Sequence, residues 1–166
     1  MIRLGLSNGS KGVQTYSRSF LILPIHSKIT FKGKATISRG FTIRCGTYAK
    51  VVIGEHFFSN QNFKLFSSTI IDIKNNCLIG WNVEIRDSDG HKIINEKGIR
   101  INENSPIEIG NHIWIGADCT VMKGVILAHD IIVAKGSIVA KSIHDSNCVI
   151  AGIPAKIVKR NILWQK

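Results

Sequence analysis

From Ile109 to His144 the chain counts in sixes. Ile109, Ile115, Val121, Leu127, Val133 and Val139 are all aliphatic, each six residues after the last. The next residue is small in most of these hexads (Gly110, Gly116, Ala128, Ala134, Ala140), with Met122 the exception. Four residues on from each aliphatic stands Ile113, Cys119, Val125, Ile131, Ser137 or Ile143, again small or apolar. An amphipathic helix needs apolar spacing of about 3.6 and an ordinary strand spacing of about 2, so neither produces a period of six. A short fixed period signals a solenoid, and the hexapeptide repeat is the sequence form of a parallel β-helix. The chain turns a corner every hexad, and three such sides close one triangular coil.

The same count recurs upstream. Ile25, Phe31, Ile37 and Ile43 are spaced by six, with Ile29, Ala35, Phe41 and Thr47 four residues after each. Ile73, Ile79 and Ile85 form a third run. The register slips between runs, with Ala49 to Val52 preceding Ile53 and a shift of two near Ile71 and Ile73. Residues 86–108 break the pattern altogether and form the most polar stretch in the middle of the chain. A loop of that length in a regular array is expected to be functional. The expected organisation is one all-β domain over 1–166, with an irregular start at 1–24, a protruding loop at 86–108 and a short tail at 157–166. Stability would come from inward aliphatics of each coil packing on its neighbours.

Phe20 to Pro24 is far too short an apolar run to span a membrane, and Met1 to Leu6 lacks the apolar core of a signal peptide. Cys45, Cys77, Cys119 and Cys148 are widely separated and form no CxxC, which favours buried thiols over disulfides or a zinc site. A cytoplasmic protein is expected. The net charge of +11 either serves solubility or attracts a polyanion: nucleic acid, an anionic membrane, an acidic glycan or a phosphate-rich cofactor. Nucleic acid is disfavoured, because no basic helix, RNP-like segment or zinc finger is present.

Asp87-Ser88-Asp89-Gly90-His91 opens the long break. With the hexads, Ile113-Trp114-Ile115-Gly116 and the closing Ala151-Gly152-Ile153-Pro154-Ala155-Lys156, it resembles the left-handed β-helix acyltransferases of the hexapeptide-repeat superfamily. The nearest branch in this resemblance is the bacterial sugar and polysaccharide O-acetyltransferases. The resemblance covers roughly Ile25 to Arg160. Ile153 departs from it, standing where asparagine is common. It implies transfer of acetyl from acetyl-CoA to a saccharide hydroxyl, for instance of a capsular polysaccharide, with no metal required. The positive charge favours an acidic acceptor.

The resemblance implies that His91 is the general base. Moving an acetyl group from a thioester to a sugar requires removal of a poorly acidic hydroxyl proton, a task that suits a neutral imidazole. Asp87 or Asp89 would orient its ring, by the logic of a catalytic triad without the serine. Without that likeness, DSDGH reads as a plain surface turn. The resemblance places Trp114 beside the histidine, against acetyl-CoA or the acceptor sugar. Gly116 and Ala117 leave the backbone open for the thioester. Ala134, Lys135 and Ser137 resemble the small-residue coil along which pantetheine runs, and Lys156, Lys159 and Arg160 the segment near the nucleotide. Lys123 is a candidate to reach the cofactor from an adjacent coil. Trp164 is expected to lie in a mobile tail, with a cover over the adenine as the alternative. The resemblance also implies a homotrimer with its sites between subunits.

Three other readings compete. N-acetylation of a nucleotide-linked amino sugar commonly uses an N-terminal domain too long to fit before Ile25. A metal-dependent hydratase needs three histidines across an interface, two of them close in sequence, whereas His91 and His112 lie far apart. A β-helix can also be a non-catalytic scaffold.

Overall fold

The computed structural model describes residues 1–6 and 18–165. Residues 7–17 of the irregular start, and Lys166 at the end of the expected tail, lie outside the described residues. The described residues form strands without a helix, arranged as three sheets. The first face stacks Ile2–Leu6, Ala35–Ser38, Phe57–Ser59, Leu78–Ile79, Trp114–Ile115, Ile131–Val133 and Cys148–Gly152 in parallel. The second face runs from Phe20–Ile22 to Ile138–Val139, the third from Lys28–Phe31 to Ile126–Leu127. Successive strands of the chain visit the three faces in turn, so the molecule is a triangular parallel β-helix.

Every hexad aliphatic from Ile109 to Val139 points inward and is buried. One residue of side chain separates each from the next face, so truncating any of them opens a void that the neighbouring coils cannot fill. Ile115→Ala would cost about 2–5 kcal/mol. All four cysteines are buried free thiols.

Coil length explains the slips in the hexad count. Ile115 pairs with Val133 and Val121 with Val139, a coil of 18 residues or three hexads. Ile37 instead pairs with Ser59 and Ile43 with Leu65, a coil of 22. The longer coils carry three inward residues on two of their sides (Phe41, Ile43 and Cys45; Ala49, Val51 and Ile53), where the later coils carry two. Each extra inward residue advances the count by two. For that reason Thr47 is exposed rather than inward, and Ala49 takes the core position. Ile25, placed at the head of the upstream run by spacing alone, is 74% exposed. Ile79 pairs with Ile115, 36 residues on, because a loop is inserted between the strands Glu84–Arg86 and Ile107–Ile109, inside the expected 86–108.

The corners are turned by residues in the left-handed region. Asn62, Asn82 and Asp118 stack at one corner with φ between 56° and 61°, and Asn76, His112 and Asp130 at another, within the same range. Asn, Asp and His are the non-glycine residues that enter this region most readily. Their side chains bond from coil to coil: Asn62 Nδ2 donates to Asn82 Oδ1 (3.0 Å), and Asn82 Nδ2 to Asp118 Oδ1 (2.9 Å). The hydrogen bond from Asn82, helped by Lys135 at 3.5 Å, holds the Asp118 carboxyl below its ordinary range.

The last coil reverses at Gly152. Ala155–Arg160 runs antiparallel to Cys148–Gly152, so the segment expected as a tail from 157 begins inside a strand. The chain then folds back: Ile162 N–H donates to Asn147 O, and Trp164 is buried.

Candidate active site

Asp87 ends the strand Glu84–Arg86 at the third inward position of the second face, stacked on Ser67 and near Cys45. Fully buried, its carboxylate accepts from Ser67 Oγ (2.9 Å), Ser68 N–H (2.6 Å), Thr69 N–H (2.8 Å) and Thr69 Oγ1 (2.9 Å). All four donors belong to the coil below, so Asp87 anchors the loop, and its carboxylate has no hydrogen bond to His91.

Asp89 is equally committed elsewhere. Its Oδ2 accepts from Lys123 Nζ (2.5 Å) and from Asn102 Nδ2 (2.8 Å). These contacts, Lys123 first, hold its carboxyl below the ordinary range. Lys123, a candidate for the cofactor, therefore ties the loop to the coil above it. Both sets of contacts have one cause. The inserted loop leaves a coil edge without partners, and the nearest polar side chains fill it.

Asn102 is the residue that sequence reasoning missed. Buried at the root of the loop, it donates through Nδ2 to His91 O (2.8 Å) as well as to Asp89, and accepts Ile93 N–H at Oδ1 (2.7 Å). Beyond it the loop forms a small hairpin with an antiparallel bridge between Ile94 and Arg100. No local spacing signals such a hub, because its contacts lie 9–13 residues away. The His91 ring itself makes no hydrogen bond or ion pair with the described residues. It lines a cleft of about 650 Å³ together with Arg44, Phe66, Ser68, Arg86 and Ser88.

Trp114 lies on the first face, 40% exposed, and not beside His91 in the same chain. It is tilted against Trp164 at 6.0 Å. Trp164, expected in a mobile tail, stacks on His112 at 4.0 Å and donates through Nε1 to His112 O (3.1 Å). His112 Nδ1 is 2.7 Å from Asp130 Oδ1. A second cavity of about 490 Å³ is lined by His56, Asn76, His112 and Trp164. Neither this cluster nor its cavity was visible in the spacing, since Trp164 and His112 are 52 residues apart.

The proposed cofactor residues follow one corner. A Cβ on Gly116 would stand 2.7 Å from Lys135 N, so the glycine permits the close stacking of two coils. Its N–H is taken by Val133 O and the Ala117 carbonyl by Gly136 N–H, while Ala134 donates its N–H to Ile150 O. Ser137 points inward and is buried, donating to Ala134 O (2.6 Å), so its hydroxyl is not offered to a ligand. Lys156 and Lys159 are exposed and without an ion pair among the described residues, while Arg160 lies 3.7 Å from Asp145. Small residues at Gly116, Ala117, Ala134 and Gly152 thus lead along one edge to free cations, a fit for a long ligand ending in phosphates. Among the described residues no group of three or more His, Cys, Asp or Glu side chains is placed to hold a metal ion. No helix of the described residues is long and apolar enough to cross a membrane.

No protein-family model matches the chain. It is 34% identical over 144 residues to a polysialic acid O-acetyltransferase of Escherichia coli O1:K1 / APEC, which covers 86% of this chain and 44% of that protein. The galactoside O-acetyltransferase of Escherichia coli K12 is 32% identical over 114 residues, 67% of this chain and 54% of its own length. Among solved structures, that of the polySia specific acetyltransferase NeuO superposes with a TM-score of 0.66 at 27% identity, covering the whole chain and 88% of its own. The chain belongs to the hexapeptide-repeat acyltransferase family. A second hexapeptide-repeat acetyltransferase, from Vibrio cholerae, shares the fold at a TM-score of 0.64 and 21% identity. The left-handed parallel β-helix is the fold of this chain. The chain spans about half the length of the first curated relatives it matches.

Proposed function

We propose that this chain transfers the acetyl group of acetyl-CoA to a hydroxyl of a saccharide, with His91 as general base. One observation carries the reading. An unpaired imidazole stands at the rim of a hydroxyl-lined cleft, on a loop whose backbone is pinned by Asn102, Asp89 and Lys123. The O-acetyltransferase relatives support it. Acetyl-CoA supplies an activated acyl group as a thioester. His91 takes the acceptor hydroxyl proton as that oxygen attacks the thioester carbonyl, and returns it to the departing sulfur as the C–S bond breaks. Because Asp87 and Asp89 are bonded elsewhere, the main chain rather than a carboxylate positions His91. The acceptor class is a surface or capsular polysaccharide, and the protein acts in the cytoplasm.

The same reading includes a homotrimer. On the first face the outward positions of five paired strands are Phe58, Leu78, Trp114, Ile132 and Val149, an unbroken apolar column. On the third face the outward columns are broken by polar residues, Lys28, Lys50 and Ile70 in one and Thr30, Val52, Asp72, Glu108 and Ile126 in the other. An apolar column on one face of a prism suits burial against another copy of the chain, and would carry Trp114 to a neighbour's His91.

CoA release from acetyl-CoA with a panel of glycans tests the reading. Acceptor-dependent release should fall by about 10²–10⁴ in His91→Ala. Equal release from both proteins removes His91 from the chemistry, and release only with amino sugars moves the reaction to N-acetylation. Failure to release CoA or bind acetyl-CoA leaves a scaffold. A second assignment of the base has one observation in its favour, the 2.7 Å contact of His112 with Asp130. Loss of release in His112→Ala with His91→Ala unaffected would move the base there.

A further inference from the structure

On the second face Ile22, Arg44, Phe66 and Arg86 occupy one outward column, each paired with the next in register. Their spacing is that of neighbouring strands, so the two guanidinium groups rise from positions about 10 Å apart with the phenyl ring between them. Arg86 lies over the Phe66 ring, 5.4 Å from its centroid. The Glu84 carboxylate is 2.9 Å from Arg86 Nε, off the line of the N–H, so this cation is already neutralised. Arg44 differs. It is exposed and has no ion pair or hydrogen bond to any described residue. The loop leaves the coil directly after Arg86, and Gly90 and His91 close the same cleft over the column. Ser68 and Ser88, whose hydroxyls are 3.1 Å apart, add polar contacts beside it.

We propose that Arg44 and Phe66 form the subsite that selects a carboxylate-bearing sugar as acceptor. Phe66 offers apolar contact to the ring C–H groups. Arg44 offers a planar pair of N–H donors, which a carboxylate matches with two parallel hydrogen bonds. Arg86, held by Glu84 and the phenyl ring, shapes the platform. The sugar acid so placed lies under the loop that carries His91. The inference rests on the acetyl-transfer reading for its consequence, but not for its test, which is binding.

The probes are a sialic acid tetramer and the same tetramer with its carboxyl groups reduced to alcohols, titrated calorimetrically into the full chain. Wild type should bind the acid form at least tenfold more tightly than the reduced form. Arg44→Gln should weaken binding of the acid form at least tenfold and leave the reduced form unchanged, Arg44→Lys should recover part of the loss, and Phe66→Leu should weaken both forms. The Kd of CoA should be the same in Arg44→Gln as in wild type. Equal affinity for the two forms, no binding of either, or an Arg44→Gln protein that binds the acid form normally overturns the subsite. Weakened CoA binding in Arg44→Gln also overturns it, assigning the cleft to the cofactor. Selective binding without any acetyl transfer upholds the subsite and defeats the transferase reading instead.

Discussion

The side-chain amide of Asn102 donates to the backbone carbonyl of His91 at 2.8 Å, and through the same nitrogen to the Asp89 carboxylate. One buried residue therefore fixes the position of the candidate base through its main chain, leaving the imidazole free to turn and to exchange protons.

Asn102→Ala should lower kcat by about 10- to 100-fold, the cost of misplacing a reactive group by about 1 Å. The KM for acetyl-CoA should stay unchanged, and the substitution should add nothing in a His91→Ala background. A parallel loss in KM for acetyl-CoA, or a further drop in the double variant, would show that Asn102 acts other than by positioning His91.

The Asp89 tether should be sensitive to acid. Lys123, then Asn102, hold the Asp89 carboxyl below its ordinary range of about 4. A pKa lower in the folded than in the unfolded state means that the contact contributes fully above that range, and is lost as pH falls through the lowered value. The Asn102 side-chain amide resonances should hold steady from about pH 7 to about pH 4 and shift below it. In Lys123→Met the midpoint should move upward, and an unmoved midpoint would rule out the lysine as the cause.

Asp87 should matter for stability. Removing its carboxylate takes the acceptor away from the buried Ser67 hydroxyl and the partly buried Ser68 and Thr69 N–H groups, and Asp87→Ala should cost about 1–3 kcal/mol in urea unfolding. Asp87→Asn should retain part of that. A loss below about 0.5 kcal/mol would mean that water replaces the carboxylate at the coil edge.

The thiols should be silent in the native state. Burial pushes the Cys77 thiol up to about 12 and raises those of Cys45, Cys119 and Cys148. Native protein at about pH 8 should therefore resist a thiol reagent, since only the thiolate reacts. All four cysteines should react after denaturation. Rapid modification of any one without unfolding would place it at an opening of the coil.

The hexads carried the fold because each inward aliphatic is both a period mark and a core contact, and Ile109 to Val139 all landed where the spacing put them. The place of the loop was signalled by the lapse of the period between Ile85 and Ile109, but its ends were not: Arg86, Ile107 and Glu108 lie in strands and Asp87 holds an inward position. Upstream, strands with a third inward residue moved Thr47 out and Ala49 in, because a side of the prism lengthens by two residues without changing which faces pair. The partners of Asp87, Asp89 and Trp164 were out of reach. They are set by which residues meet one coil away, and that depends on the exact length of each side and on the 18 extra residues of the loop-bearing coil.

A stack of parallel coils has no intrinsic end, since each sheet edge is a template for the next strand. In the first face that edge is Ala155–Arg160, which runs the wrong way. An arriving parallel strand meets a reversed hydrogen-bond pattern and three cations, Lys156, Lys159 and Arg160, at the point where it would dock. The hairpin at Gly152 thus guards this edge of the solenoid against fibre growth.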